Sequence, residues 1–398
     1  MKRLTTLLLV LSLFALSPLP FTALAADYCE CPDAQTHARR QAAFEGILRG
    51  YSTMGASIAL VRGGRIVDTF QYGRANRADK ILVDSETHFR VASVSKMVTA
   101  IGVLQLVEQG KLELDRDAGD YFPFSIRNPY YPGTPITLRQ IMTHTATLKD
   151  DYHYERAVNG KAERLRIVFE GNYTKNNFFR KEPGTYVDYS NFGGGLLGVF
   201  IEQLSGLTID EYMARGVFKP LGITGGYHTP CLPYDAKIAR VYDVVSTGMT
   251  LDLEARVEEH FDPDPELNYT HTAGGLMITA EGLAKIVIAL AGDGSVDGVR
   301  LLRPETVGMM RTRQDNIGSV RIDSERGLNL NIIADKLVRG RTLYGHQGKA
   351  YGTICAAYFD PTDQTGVVLL TNGCDTSTVD TIARIARAVI AQGYEYFR

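Results

Sequence analysis

Ser93 and Lys96 stand three residues apart in the largely apolar stretch FRVASVSKMVTA, residues 89–100. Lysine is among the residues least often buried without a partner, so one placed a helical turn after a serine asks for a reason. On a helix beginning near Ser93, an i, i+3 pair shares a face and the side chains meet. The serine would sit at the positive end of the helix dipole, where developing negative charge is favoured. Apolar surroundings push a lysine pKa down. A partly neutral lysine can then draw the proton from a serine hydroxyl, a poor nucleophile until some base does so. A serine at a helix start is ordinarily an N-cap and a lysine can snorkel out of an apolar run, so the pair alone is a weak signal. Ser95 reads as structural.

Two further stretches carry chemistry. PGTYVDYSNFGGGLLG offers Tyr189 and Asn191 just before a glycine-rich turn into an apolar helix. A tyrosine held by a nearby cation can act as a phenolate-like base, and an asparagine can orient a lysine or bind an amide with both donors and acceptor. YGHQGKAYG offers His346, Gln347, Gly348 and Lys349 on a strand edge. There Gly348 lets a backbone come close to a ligand, and the N–H of Lys349 can join that of Ser93 as an oxyanion hole. His346 can supply a proton or bind a carboxylate. Each of these stretches alone is more simply a packed loop or an ordinary strand.

The elements that must position these residues are legible as patterns. Residues 34–50 are predicted helical. ASIALVRGGRIVDTFQYG reads as two strands about a Gly63-Gly64 turn. After Ser93 the pattern is helical and apolar on nearly every side, which marks a core helix, and it stops near Gly110. YGTICAAYFDPTDQTGVVLLTNG reads as a hairpin turning at Pro361–Thr365, and TVDTIARIARAVIAQG as a final amphipathic helix. These predict an α/β (α+β) fold: an antiparallel sheet built from both chain ends, flanked by helices, with a mainly helical lobe inserted. The sheet lobe is expected over residues 26–92 and 280–398, the helical lobe over 93–279, as one domain.

Taken together, Ser-x-x-Lys, Tyr-x-Asn and His-x-Gly follow one another in the order found in a known group. The chain resembles the penicillin-recognising serine hydrolases: class C beta-lactamases, D,D-carboxypeptidases and related esterases. ITLRQIMTHTATL, the segment from Pro183 to Gly225, TAGGLMITAEGLAKIV and GVVLLTNG are similar to that family too, so the likeness runs from about Ala34 to Gln392. It implies a beta-lactamase/transpeptidase-like fold, Ser93 as acylated nucleophile, Lys96 and Tyr189 as bases, and Asn191 on the substrate or Lys96. Substrate would lie along His346–Lys349. Which of Lys96 and Tyr189 takes the first proton stays open. The implied activity is an acyl-enzyme hydrolase, with a beta-lactam as first substrate. A D-alanyl-D-alanine peptide or small ester is the alternative, and a slowly deacylating penicillin-binding sensor a further one. No cofactor and no metal are expected.

The chain departs from the family at the third motif, where class C enzymes usually carry Lys-Thr-Gly. The lysine there is a permanent cation, whereas His346 is charged only part of the time near neutrality. Gln347 is expected to narrow the cleft, and Lys349 to offset part of the missing charge. The Glu-x-x-Leu-Asn of class A enzymes is absent.

Several other polar residues read as structural. His144 is expected to bond internally, His88 to sit in the core, and His153 beside Asp150 and Asp151 to lie on a solvated loop. Residues 257–269 form an acidic stretch that either rims a cleft or is a solvated edge. MKRLTTLLLVLSLFALSPLPFTALAADY has a basic start, an apolar run and small residues at Ala23–Ala25, the form of a secretory leader cut after Ala25. A periplasmic location follows as the expectation, with no stable membrane anchor. Cutting there leaves 41 basic against 45 acidic residues, a net charge of −4, which argues against nucleic acid as a partner. A small-molecule substrate is expected, and the oligomeric state is not legible. Of Cys29, Cys31, Cys231, Cys355 and Cys374, the pair Cys355–Cys374 flanks the second hairpin and is the preferred disulfide. A zinc site from Cys29 and Cys31 lacks a second pair of ligands.

Overall fold

Two hairpins from opposite ends of the chain meet to form the central sheet. The computed structural model describes residues 32–243, 251–253, 262, 264–314, 316–317, 320–321 and 325–398, so the leader, Cys29 and Cys31 lie outside the described residues. Strands β1 (Gly55–Arg62) and β2 (Arg65–Asn76) turn at Gly63 and Gly64, both left-handed at φ 57° and 74°, the conformation that two-residue hairpins require. β3 (Ile81–Leu82) extends them. From the other end come β4 (Asn331–Ala334), β5 (Thr342–Ala350), β6 (Thr353–Asp360) and β7 (Thr365–Thr371). The seven strands lie in the order β4-β5-β6-β7-β1-β2-β3, every neighbouring pair antiparallel. Ile58 pairs with Leu369 where the two ends join.

Strand parity divides the side chains between two faces. Ile58, Leu60, Ala356 and Leu369 face a layer formed by helices α1 (Ala34–Gly50) and the C-terminal helix, through Phe44, Leu48, Ile385, Val389 and Ile390. Ala59, Val61, Cys355, Ala357 and Val368 face the opposite way, toward α2 (Val94–Glu108), α3 (Asn191–Ser205) and α4 (Ala280–Ala291). Each large aliphatic side chain buried here contributes about 1.5–3 kcal/mol. α2 is buried almost all round and packs against α3 and β5, so it is the post on which the inserted helical part meets the sheet. Among the described residues no single helix is long and apolar enough to cross a membrane.

Three expectations need correction. The final helix, α5, begins at Arg384 and runs to Glu395. Residues 378–383 form a small hairpin instead, turned by Asp380 and Thr381 in the left-handed region. Gly193, Gly194 and Gly195 lie inside α3 and not in a turn before it. Cys355 and Cys374 are free thiols: Cys355 belongs to the α2 side of the sheet and Cys374 to the α5 side. The β6–β7 hairpin thus brings them close in sequence register but puts the sheet between them.

Candidate active site

Ser93 occupies the N-cap position of α2, yet its hydroxyl makes no capping bond. The capping explanation for this serine therefore fails, and Oγ is free for another partner. The residue before it, Ala92, is left-handed at φ 46°, a conformation that costs a non-glycine residue of order 1–3 kcal/mol. Ser95 keeps that turn in place, as a structural residue should: its Oγ donates to Ala92 O at 2.6 Å and accepts from Leu276 N at 3.1 Å. Gly348 of β5 is packed against the same turn. A Cβ there would run into Val91 O and lie 3.0 Å from Ser93 N, so the close approach that Gly348 permits is first of all to the backbone of residues 91–93.

Lys96 has no exposed surface. Its Nζ lies 3.1 Å from Ser93 Oγ, 2.9 Å from Asn191 Oδ1 and 2.5 Å from Ala273 O. As an ammonium it has three acceptors for three protons. As an amine it donates to the two carbonyl oxygens and turns its lone pair to the Ser93 hydroxyl. Burial pulls its pKa down to about 7, with the nearby Asp150 carboxylate pulling the other way. The path of this side chain depends on Gly194 in α3, where a Cβ would strike Lys96 Cε and stand 2.9 Å from Cδ.

The Tyr189 ring lies 5.0 Å below Lys96 Nζ, within cation–π range. Its hydroxyl is buried beside that of Ser93. Burial pushes the phenol up to about 12, and the Ser93 hydroxyl and Arg326 work against that rise. The ring is boxed by the His144 imidazole at 4.4 Å, by His346 at 6.3 Å and by the Arg326 guanidinium at 5.7 Å. Ser93, Lys96, Tyr189 and Asn191 are thus one neighbourhood, assembled from the start of α2 and the start of α3.

The third motif is placed differently from its sequence reading. His346 is buried, and its Nδ1–H donates to Gln347 O at 2.6 Å. Burial first, then the charges of Lys96 and Arg326, take its pKa down to about 3. The imidazole is neutral around pH 7, so it offers a substrate carboxylate no charge. Gln347 and Lys349 have the opposite strand parity to His346 and Gly348. The Gln347 amide donates to Thr381 O at 2.5 Å and accepts from Ala383 N at 3.1 Å. Lys349 Nζ donates to Thr376 O at 3.0 Å. Gln347 therefore does not narrow the cleft, and the Lys349 ammonium is directed to the far side of the strand.

Asp150 is the residue that sequence reasoning missed. Its carboxylate accepts four hydrogen bonds: from Ser190 Oγ at 3.0 Å, Asn191 N and Asn191 Nδ2 at 2.8 Å each, and Phe192 N at 2.8 Å. No spacing announces it, because its partners lie about forty residues on. Beside it, His153 is buried on the helix Tyr152–Val158 with Nδ1 bonded to Asn177 Oδ1 at 2.9 Å. It does not lie on a solvated loop. His144 accepts from Ser190 N at 3.2 Å and His88 is buried, both as expected.

Above these groups opens a cleft of about 870 Å³, lined among others by Arg90, Ser93, Tyr154, Asn191, His271 and Tyr351. Asp262, Leu267 and Asn268 also line it, so the described part of the acidic stretch rims the cleft. Elsewhere, Asp210, His228 and Cys231 bring ligand-type atoms within 4.8 Å of one another. The Asp210 carboxylate there already accepts from Tyr227 N and His228 Nδ1, a set that satisfies the buried charge as a hydrogen-bond network.

Comparison with known proteins agrees with this architecture. Over 170 residues the chain is 28% identical to Protein flp of Staphylococcus aureus, a match covering 43% of this chain and 34% of that protein, so it spans about a third of that relative's length. The structure superposes on that of a beta-lactamase/D-alanine carboxypeptidase from Pseudomonas syringae with TM-score 0.68 and 21% identity, covering 92% of this chain and 100% of the other. A D-amino acid amidase from Ochrobactrum anthropi SV3 gives TM-score 0.67 and 22% identity, covering 90% and 100%. These two likenesses are of fold. The sequence pattern of the beta-lactamase family matches residues 40–392, nearly the whole described chain, and this protein belongs to that family of serine hydrolases.

Proposed function

We propose that this protein is an exported serine acyl-hydrolase working through an acyl-enzyme on Ser93. The observation that carries the reading is the buried Lys96 amine 3.1 Å from Ser93 Oγ. With its pKa near 7, Lys96 is the better first base, because Tyr189 at about 12 stays a phenol. Lys96 takes the hydroxyl proton as Ser93 Oγ bonds to the substrate carbonyl carbon. The carbonyl electron pair moves to oxygen, facing the N–H groups of Ser93 and Lys349, two residues that line the cleft. When the oxyanion collapses, the C–N or C–O bond breaks and the leaving group takes the proton relayed from Lys96 through Tyr189. Water then attacks the ester by the reverse relay and frees Ser93.

Three substrate classes fit such a site: a beta-lactam, a D-alanyl-D-alanine or D-amino-acid amide, and a small ester. The neutral, buried His346 and the outward Lys349 favour the D-amino-acid amide and the small ester, since the carboxylate of a beta-lactam or of a D-Ala-D-Ala peptide loses the cation that class C enzymes place at this strand. The solved neighbour named as a D-amino acid amidase supports the amide, while the one named as a beta-lactamase/D-alanine carboxypeptidase carries both carboxylate-bearing classes in its name. The leader supports a periplasmic location. The test is to incubate purified protein with benzylpenicillin, a D-Ala-D-Ala peptide and p-nitrophenyl acetate, following adduct and product by intact mass. Turnover of the ester that exceeds turnover of both the penicillin and the peptide supports the preference. Fast penicillin turnover returns the beta-lactamase reading, and a lasting penicillin adduct the sensor reading.

A further inference from the structure

We propose that Asp150 is a positioning residue of this site, holding the Asn191 amide in one orientation and supplying the only negative charge that acts on Lys96 among the described residues. The proposal rests on the acyl-hydrolase reading above.

The geometry has two parts. An asparagine amide can present either end to a neighbour, and Lys96 needs the oxygen. Asp150 Oδ2 accepts from Asn191 Nδ2 at 2.8 Å, which leaves Asn191 Oδ1 facing Lys96 Nζ at 2.9 Å. A flipped amide would set an NH2 against the ammonium and a carbonyl against the carboxylate, so the flip is opposed at both ends. The same carboxylate accepts from the backbone N–H groups of Asn191 and Phe192 and from Ser190 Oγ. It therefore closes the start of α3, where the helix dipole favours its negative charge. Tyr189 is the residue just before this clamp, so the phenol's position depends on it too.

The second part is charge. The titratable groups around Lys96 are Tyr189, His144, His346 and Asp150, with Arg326 beyond them. Tyr189, His144 and His346 are neutral near pH 7, and Arg326 is a cation. Asp150 alone favours the charged lysine, and it works against the burial that disfavours it. Removing that carboxylate makes Lys96 give up its proton at lower pH.

Acylation of the full chain by p-nitrophenyl acetate, measured as the burst from pH 5 to 9, separates these roles. In wild type the burst rate should rise with pH through about 7. Asp150→Asn should move that limb to lower pH and cut the plateau by roughly 10²-fold, the scale of a small misplacement in an active site. Asp150→Glu keeps the charge and spoils the geometry, so it should cut the plateau with the limb unmoved. Ser190→Ala removes one of four bonds and serves if the neutral variant does not melt cooperatively; it should lower the plateau with the limb unmoved. A folded Asp150→Asn whose limb stays at the wild-type pH overturns the proposal, as does a limb that moves in Ser190→Ala. If wild type forms no adduct that depends on Ser93, the hydrolase reading itself has failed, a result distinct from an unmoved limb.

Discussion

The Lys96 amine stands 3.1 Å from the Ser93 hydroxyl, and no part of that lysine reaches solvent. A buried ammonium is costly unless it is paired and hydrogen-bonded. Here the cost is met by Asn191 Oδ1, Ala273 O and Ser93 Oγ, and what is left of it appears as the depressed pKa. Lys96→Ala should slow acylation by ~10²–10⁴-fold, the usual range for a positioned base. In wild type the sign of the pH dependence follows from the neutral amine being the active form. Acylation should fall as pH drops below about 7. A burst rate flat from pH 5 to 9 would mean that Lys96 is not the group that titrates.

Gly194 makes room for Lys96 in a way no other residue can. Gly194→Ala puts a methyl group against Lys96 Cε, and overpacking of this kind costs about 1–3 kcal/mol. The variant should melt at lower temperature and lose acylation by ~10²-fold or more as the amine is displaced. Full activity in Gly194→Ala would show that the lysine can take another path.

His346 should not titrate between pH 5 and 8, since burial and the neighbouring cations hold its pKa near 3. Nitrogen chemical shifts of the imidazole, followed across that range, should report one neutral form with the proton on Nδ1, the nitrogen facing Gln347 O. A midpoint near 6.5 would restore the partly charged histidine that the sequence alone suggests.

Cys355 and Cys374 should both react with an alkylating reagent in denaturant without reductant. They face opposite sides of the sheet, and in each burial raises the thiol pKa, to about 12 and about 11. A peptide map in which the two are joined would contradict the placement of Cys374 beneath α5.

Much of the fold was readable because it rests on local pattern. The limits of α1, the Gly63-Gly64 hairpin and the core helix after Ser93 follow from periodicity and turn chemistry. α5 shows where this stops. Residues 378–383 carry a helical pattern, but Gln347 holds Thr381 O and Ala383 N from a distant strand, and the chain turns there. The third motif shows the same limit. Its residue types were visible, but which of them face α2 depends on strand parity relative to β6, where His346 pairs with Ala357 and Gln347 with Ala356. Asp150 was passed over because its meaning lies wholly in partners that only folding brings to it. Likewise the charge of His346 is decided by burial, which a sequence position does not state.

The most direct test of the account is the mass of the protein after brief exposure to p-nitrophenyl acetate, for wild type and Ser93→Ala side by side. The account predicts one acetyl group on wild type, mapped to the peptide holding Ser93, and none on the variant. An adduct of equal size on Ser93→Ala, or turnover of the ester at the wild-type rate, would contradict it.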